Sequence, residues 1–209
     1  METAEIVDPD QAILLLIDVQ PLFLEWMAGD QEPVMVRLEH LLKLVGWFGI
    51  PVLATFEHPT DMKGWLPEGL ASVLPPDGRR HVKQRFDLTA EPAILEALLA
   101  QPRRHALVAG AETDVCVLQS VLGLIRLGFR VFLLEDCLFT SEPHPGPALR
   151  RMEQAGAVPL TYKTLHYELQ QGVAGKGLTD AWNEAETTAG RPDRHYRTPE
   201  DLPVWTPSR

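Results

Sequence analysis

The sequence predicts an α/β fold in which a parallel sheet is covered by helices on both faces. Short aliphatic runs without polar alternation, of which residues 13–17 are the clearest, are typical of strands that are buried on both sides. Between these runs apolar residues recur at helical spacing. Gly49, Gly128 and Gly156 each separate a predicted helix from the strand that follows it. Six such strands alternating with helices favour a parallel sheet with right-handed crossovers.

The predicted elements follow one another in a regular order along the chain. Residues 13–17 predict the first strand, and Val34, Leu38, Leu41 and Val45 predict the helix after it, because they recur on one face of a helix. The further strands are predicted at residues 51–55, 81–83, 106–109, 131–134 and 158–161, and the further helices at residues 91–100, 114–127 and 147–155.

The C-terminal part of the sequence lacks this pattern. From about residue 165 the α/β alternation gives way to Gly, Pro and charged residues, with Trp182 and Trp205 isolated among them. We therefore expect a single domain over residues 1–209 with an irregular C-terminal tail from about residue 165. The tail either packs over the domain or a neighbouring subunit, or is disordered.

Composition limits the kinds of partner. The 209 residues carry a formal net charge of −10, which disfavours binding to nucleic acid or to anionic lipid. The two cysteines show no zinc-binding spacing. The N-terminal residues are acidic, and the apolar run at residues 12–17 is too short for a signal-peptide core or a membrane span. We therefore expect a cytoplasmic protein with a small-molecule partner.

Polar residues follow several predicted strands at the edge where open parallel sheets bind ligands. Asp18 comes directly after the first strand and Lys83 ends the third. A carboxylate behind five aliphatic residues is partly desolvated and needs a cation or a hydrogen-bond donor, and Lys83 is a candidate for that partner. The alternative is that Asp18 merely ends its strand and that Lys83 is solvated.

Cys116 follows the fourth predicted strand at the start of a helix. Thr113 is predicted to be the N-cap, which places Cys116 at the third helical position. The positive end of the helix would lower the pKa of the thiol there and favour a nucleophilic thiolate. The alternative is a small buried apolar residue, and Cys137 fits that alternative better than Cys116 does.

These segments resemble the isochorismatase-like cysteine hydrolases. The resemblance lies in Ile-Asp-Val-Gln at residues 17–20, in Lys83, and in Gly-Ala-Glu-Thr-Asp-Val-Cys-Val at residues 110–117, and it runs from about residue 13 to residue 162. It implies a three-layer αβα Rossmann-like fold with strand order 3-2-1-4-5-6. It also implies a catalytic triad of Asp18, Lys83 and Cys116.

The resemblance implies further features of the site. A non-proline cis peptide is expected at Ala111–Glu112, where the backbone N–H groups of Glu112 and Cys116 would form an oxyanion hole. The implied activity is hydrolysis of a C–N bond (amide, carbamoyl or ureido) in a small molecule through a cysteine thioester. The alternatives are vinyl-ether hydrolysis and a catalytically silent binding module. We also expect a homo-oligomer. The expected substrate-binding residues are Gln20, Phe23, Trp26, His58 and Thr113.

The sequence departs from the zinc-binding members of this family. Nicotinamidases are expected to hold zinc through an Asp-x-His motif after the second strand, where this sequence reads Phe56-Glu57-His58-Pro59 with Phe56 at the Asp position. One histidine without its carboxylate is a poor zinc site. We therefore predict no metal and no other cofactor, and His58 is predicted to line the pocket or to satisfy a loop carbonyl.

Overall fold

Six parallel strands form one sheet in the computed structural model, which describes residues 6–170. The strands are β1 Ala12–Ile17, β2 Val52–Glu57, β3 Arg79–Lys83, β4 His105–Gly110, β5 Arg130–Leu138 and β6 Val158–Leu160. Their order across the sheet is β3-β2-β1-β4-β5-β6, which confirms the predicted fold class and strand order. All six predicted strands are present; β5 is longer than predicted because its pairing with β4 continues past an irregularity to Leu138.

Helices connect the strands. They are α1 Pro21–Trp26, α2 Gln31–Trp47, α3 Thr60–Lys63, α4 Glu68–Val73, α5 Pro92–Leu99, α6 Leu118–Arg126, α7 Gly146–Gln154 and α8 Tyr162–Gln170. The sequence predicts α2, α5, α6 and α7 within a few residues. It does not predict α1, α3 and α4, because four to six residues are too few to show a helical period.

The end of the described chain is helical rather than irregular. Helix α8 continues to Gln170, five residues beyond the position at which the sequence predicts an irregular tail. The rest of that tail, including Trp182 and Trp205, lies outside the described residues. Between residues 6 and 170, none of the helices combines the length and apolar character that crossing a bilayer requires.

The two central strands place the ligand-binding edge of the sheet. Every residue of β1 is buried, and β1 pairs in parallel with β2 on one side and with β4 on the other. The pairing of Ile17 with Gly110 sets the residues after β1 beside the residues after β4. Since the strand order reverses between these two strands, their carboxyl ends form the crevice in which open α/β sheets bind ligands.

Gly110 permits the close approach of β4 to β1 at this edge. Its φ is +114°, and a Cβ atom built there would lie 2.0 Å from the carbonyl oxygen of Ile17, a main-chain atom that cannot rotate away. We predict that Gly110→Ala lowers the free energy of unfolding by about 2–3 kcal/mol more than Gly128→Ala does. Gly128 is the matched control, because its φ is also positive (+81°) but a Cβ there meets no atom within 4 Å. Urea denaturation of both variants measures the difference, and equal losses would contradict the prediction.

Candidate active site

Asp18 is held in place at the carboxyl end of β1. Its backbone adopts a φ of 46°, which is uncommon for a residue other than glycine, and its side chain is fully buried. The main-chain N–H of Asp18 donates to the carbonyl of Thr55 at 3.1 Å. The Thr55 hydroxyl in turn donates to Asp18 Oδ1 at 2.8 Å. Neighbouring strand β2 therefore fixes both the backbone and the carboxylate.

Lys83 connects the carboxylate to the thiol. It ends β3 and is fully buried, and its register partner on β2 is Glu57. Its ammonium nitrogen lies 2.6 Å from Asp18 Oδ2 and 3.4 Å from Cys116 Sγ, and it also donates to the carbonyl of Arg85 at 3.2 Å. The three residues that the sequence predicts as a triad thus meet in space, with the ammonium between the carboxylate and the sulfur.

Cys116 lies in a π-helical turn, Thr113–Val117, that leads into α6. The predicted N-cap is wrong: Glu112 precedes the first helical residue, and Cys116 is the fourth residue of the turn. Thr113 does not cap the helix, because its hydroxyl and its backbone N–H both donate to the carbonyl of Phe139, each at 3.1 Å. The carbonyl after β5 is a long-range partner that local sequence patterns do not reveal.

The environment of Cys116 raises the pKa of its thiol instead of lowering it. Burial is the largest cause, and the charge of Asp18 adds to it, while the ammonium of Lys83 acts in the opposite direction. The predicted thiolate is therefore not favoured at rest, because the residue is only 2% exposed and two carboxylates face it. The sulfur needs a base to remove its proton before it can act as a nucleophile.

Asp18 has the properties of that base. Burial raises the pKa of its carboxyl above the ordinary value, although the charge and hydrogen bond of Lys83 lower it in part. A carboxylate with a raised pKa accepts a proton more readily than an ordinary one does. Burial is the largest single cause and lowers the pKa of Lys83, but the charge and hydrogen bond of Asp18, together with the contributions of Cys116 and Glu57, leave that pKa raised, so Lys83 is cationic.

Glu57 is a fourth member of the cluster, and sequence reasoning missed it. Its Oε2 accepts a hydrogen bond from the Cys116 thiol at 3.2 Å and lies 3.9 Å from Lys83 Nζ, while its Oε1 forms an ion pair with Lys63. The signal was available in the sequence, since Glu57 ends β2 at the same edge of the sheet as Asp18 and Lys83. Glu57 was missed because it lies within Phe56-Glu57-His58-Pro59, the segment that corresponds to the zinc motif of nicotinamidases.

The predicted substrate-binding residues lie in different environments. Gln20 is buried, and its side-chain amide binds main-chain atoms of Glu57 and Gly64. Phe23 is buried, with its ring edge-on to Trp26 and 5.5 Å from the ammonium of Lys63, whereas Trp26 is 55% exposed.

His58 is exposed and begins a cis peptide bond to Pro59. Thr113 is buried against Phe139 as described above. Substrate contact by these residues stays a prediction.

The segment before Cys116 contains the expected backbone feature. The peptide bond between Ala111 and Glu112 is cis. The Glu112 carboxylate accepts a hydrogen bond from the Ser141 N–H at 3.0 Å, which fixes this side chain on the loop after β5. The role of the Glu112 and Cys116 backbone N–H groups as an oxyanion hole stays a prediction.

The donor atoms of Asp18, Glu57 and Cys116 lie within 4.8 Å of one another, as in sites that hold a metal ion. Phe56 contributes no ligand here, because its ring is buried against Trp65, and the second carboxylate near the sulfur comes from Glu57. The ammonium of Lys83 lies within 3.9 Å of all three groups and supplies the positive charge that two carboxylates require. The expected absence of a metal stays a prediction.

Comparison with known proteins identifies the family. A model of the isochorismatase domain matches residues 12–164. Together with the parallel sheet of order β3-β2-β1-β4-β5-β6, this match defines a hydrolase with a Rossmann-like fold. Isochorismatase domain-containing protein 2 of Macaca fascicularis is 31% identical over 163 residues, which are 77% of this chain and 76% of that protein. The chain therefore belongs to the isochorismatase-like hydrolase family.

Solved structures share the fold at lower identity. The MAR1 ribonuclease of Caenorhabditis elegans has a TM-score of 0.79 and 20% identity, over 93% of this chain and 99% of that chain. The YcaC gene product of Escherichia coli, described as an octameric hydrolase of unknown specificity, has a TM-score of 0.78 and 23% identity, over 90% of this chain and 98% of that chain. Both likenesses establish the architecture of the sheet and its helices.

Proposed function

We propose that this protein hydrolyses a C–N bond (amide, carbamoyl or ureido) of a small molecule through a thioester on Cys116. The observation that carries the proposal is the position of Lys83, whose ammonium lies 2.6 Å from the Asp18 carboxylate and 3.4 Å from the Cys116 sulfur. Both the Cys116 thiol and the Asp18 carboxyl have a raised pKa. The thiol therefore stays protonated at rest, and the carboxylate beside it can act as the base that removes its proton when a substrate binds.

The residues have distinct roles in this reaction. Asp18 takes the thiol proton, and Cys116 attacks the carbonyl carbon while Lys83 stabilises the negative charge on the sulfur and the carboxylate. The backbone N–H groups of Glu112 and Cys116 bind the oxyanion. As the C–N bond breaks, Asp18 returns the proton to the leaving nitrogen. A water molecule that loses a proton to Asp18 then attacks the thioester carbonyl, the C–S bond breaks as the acid leaves, and the proton on Asp18 restores the Cys116 thiol.

The partner is a small molecule rather than a nucleic acid. The net charge of −10 and the two carboxylates beside the sulfur repel a phosphate backbone. RNA cleavage, the activity in the name of one structural neighbour, is therefore not part of the proposal. Assembly into a homo-oligomer is part of the proposal, and the octameric description of YcaC supports it.

Ammonia release tests the proposed activity. The purified protein is assayed with a panel of small primary amides, carbamoyl compounds and ureides, and intact mass after acid quenching reports an acyl adduct. We expect ammonia release with at least one class, together with an adduct on the peptide that contains Cys116. Turnover of a vinyl ether without any ammonia-releasing substrate would contradict C–N hydrolysis and favour the alternative chemistry of this family.

A further inference from the structure

Glu57 is the member of the charged cluster around Cys116 that reaches solvent. Cys116 is 2% exposed, and Asp18 and Lys83 are fully buried. The Glu57 side chain is 13% exposed, and its Oε2 lies 3.2 Å from the sulfur. Among the charged groups that contact the sulfur, Glu57 is therefore the one that a molecule can reach from solvent, and a substrate bound at the sulfur would replace its hydrogen bond with the thiol.

Hydrogen bonds position Glu57 beside the sulfur through its main chain as well as through its carboxylate. The Gln20 side chain accepts a hydrogen bond from the Glu57 N–H at 2.7 Å and donates to its carbonyl at 3.2 Å. Burial alone would raise the pKa of the Glu57 carboxyl, but the hydrogen bonds from Lys63 and Cys116 and the charges of Lys83 and Lys63 together lower it. Glu57 is therefore an anion at neutral pH, and its low pKa makes it a better hydrogen-bond acceptor than a base.

The neighbouring cations are already paired with carboxylates. Lys83 lies against Asp18, and Lys63 lies against Glu57 while also donating to the carbonyl of His58. Arg85 is exposed, so solvent and salt screen its charge. An anion placed next to the sulfur would lie roughly 4 Å from the Glu57 carboxylate. At that separation the repulsion between two like charges weakens binding about fivefold, even at the dielectric constant of water.

We propose that Glu57 is a specificity-determining residue that selects uncharged small amides, carbamoyl compounds and ureides over substrates with a carboxylate beside the scissile carbonyl. The inference rests on the C–N hydrolase function proposed above and narrows its substrate class. The N–H groups of a neutral amide donate to Glu57 as the thiol does at rest, whereas a carboxylate at that point is repelled.

Two alkylating reagents test the charge selection directly. Iodoacetamide and iodoacetate have the same length, and they differ in carrying a neutral amide or a carboxylate. Each forms a bond from Cys116 Sγ to carbon with loss of iodide, and the thiol proton passes to Asp18 or solvent. The rates are measured by mass spectrometry of the peptide that contains Cys116 and are divided by the rates with N-acetylcysteine. The ratio of the two reagents cancels any change in the thiolate fraction.

We expect Glu57→Gln to raise the normalised iodoacetate-to-iodoacetamide ratio about tenfold at low ionic strength, and less in high salt. Lys63→Met should change the ratio in the opposite direction, because it leaves the Glu57 carboxylate without its paired cation. Glu39→Gln is the matched control: it also removes a carboxylate that is paired with a lysine, but its partner Lys43 lies on the same helix α2, and the ratio should not change.

The outcomes separate this inference from the function on which it rests. A ratio that is the same in Glu57→Gln, Lys63→Met and the wild type would overturn the charge selection and leave the nucleophile in place. Failure of both reagents to label Cys116 in the folded wild type would overturn the proposed function itself. Opposite shifts in the two variants, with no shift in Glu39→Gln, would establish Glu57 as the selecting group.

Discussion

Cys116→Ala is expected to lower kcat on a C–N substrate by at least about 10³-fold while the protein stays folded. The substitution removes the sulfur that Lys83 contacts at 3.4 Å and leaves the Asp18–Lys83 ion pair intact. Without a nucleophile, the remaining groups can only bind the substrate and polarise its carbonyl. The measurement is ammonia release in steady state, with circular dichroism to confirm folding.

Cys137→Ala is the control for this experiment. Cys137 is fully buried in β5, and its sulfur lies 3.8 Å from Asp136 Oδ1 rather than in the triad. It should lose some stability but keep its turnover. If Cys116→Ala retains turnover and Asp18→Asn loses it, the reaction uses the acid alone, as the vinyl-ether alternative requires. If Cys116 of the wild type does not react with a mild alkylating reagent at neutral pH, the interpretation as a binding module is favoured.

Lys83→Met is expected to have the second large effect, on stability as well as on activity. The substitution leaves the Asp18 carboxylate fully buried without the cation that now lies 2.6 Å away. Breaking a buried ion pair by removing one partner costs about 3–5 kcal/mol, because the remaining charge is not compensated. Urea denaturation at neutral pH measures the loss, and a cost below about 1 kcal/mol would contradict this account of the pair.

The loss in Lys83→Met should depend on pH in a defined direction. Burial already raises the pKa of Asp18 in the folded wild type, and loss of Lys83 raises it further because the charge and hydrogen bond of Lys83 are the largest effects that lower it. A carboxyl whose pKa is raised by folding stabilises the protein when protonated, and that stability is lost as pH rises through the folded pKa. The deficit relative to wild type should therefore shrink from about pH 8 to about pH 5.

The double variant Asp18→Asn/Lys83→Met identifies the cause of this loss. Because the double variant leaves no unpaired charge in the interior, it should recover part of the stability that Lys83→Met loses, and its deficit should not depend on pH in this way. A double variant that is less stable than Lys83→Met would show that packing of the lysine side chain, rather than its charge, accounts for the cost. Neither variant is expected to release ammonia.

The fold could be predicted because its signals are local. The unbroken aliphatic run that becomes β1 and the helical spacing that becomes α2 each lie within a short segment. The positions of Asp18 and Lys83 at the ends of their strands could also be predicted, since parallel strands share one carboxyl edge. The strand order came from the resemblance to the family, and so did the grouping of these two residues with Cys116.

Other features of the site depend on distances between side chains that are far apart in the sequence, and local patterns do not contain them. The Glu57 carboxylate contacts the Cys116 sulfur across 59 positions of sequence, and the Thr113 hydroxyl binds the Phe139 carbonyl instead of capping its own helix. The predicted direction of the Cys116 pKa shift was wrong for the same reason. The sequence shows the helix end, which lowers the pKa of the thiol, but it does not show the burial and the Asp18 charge, which raise it. The sequence determined the sheet and the residues at its edge, while packing determined which charges face the sulfur.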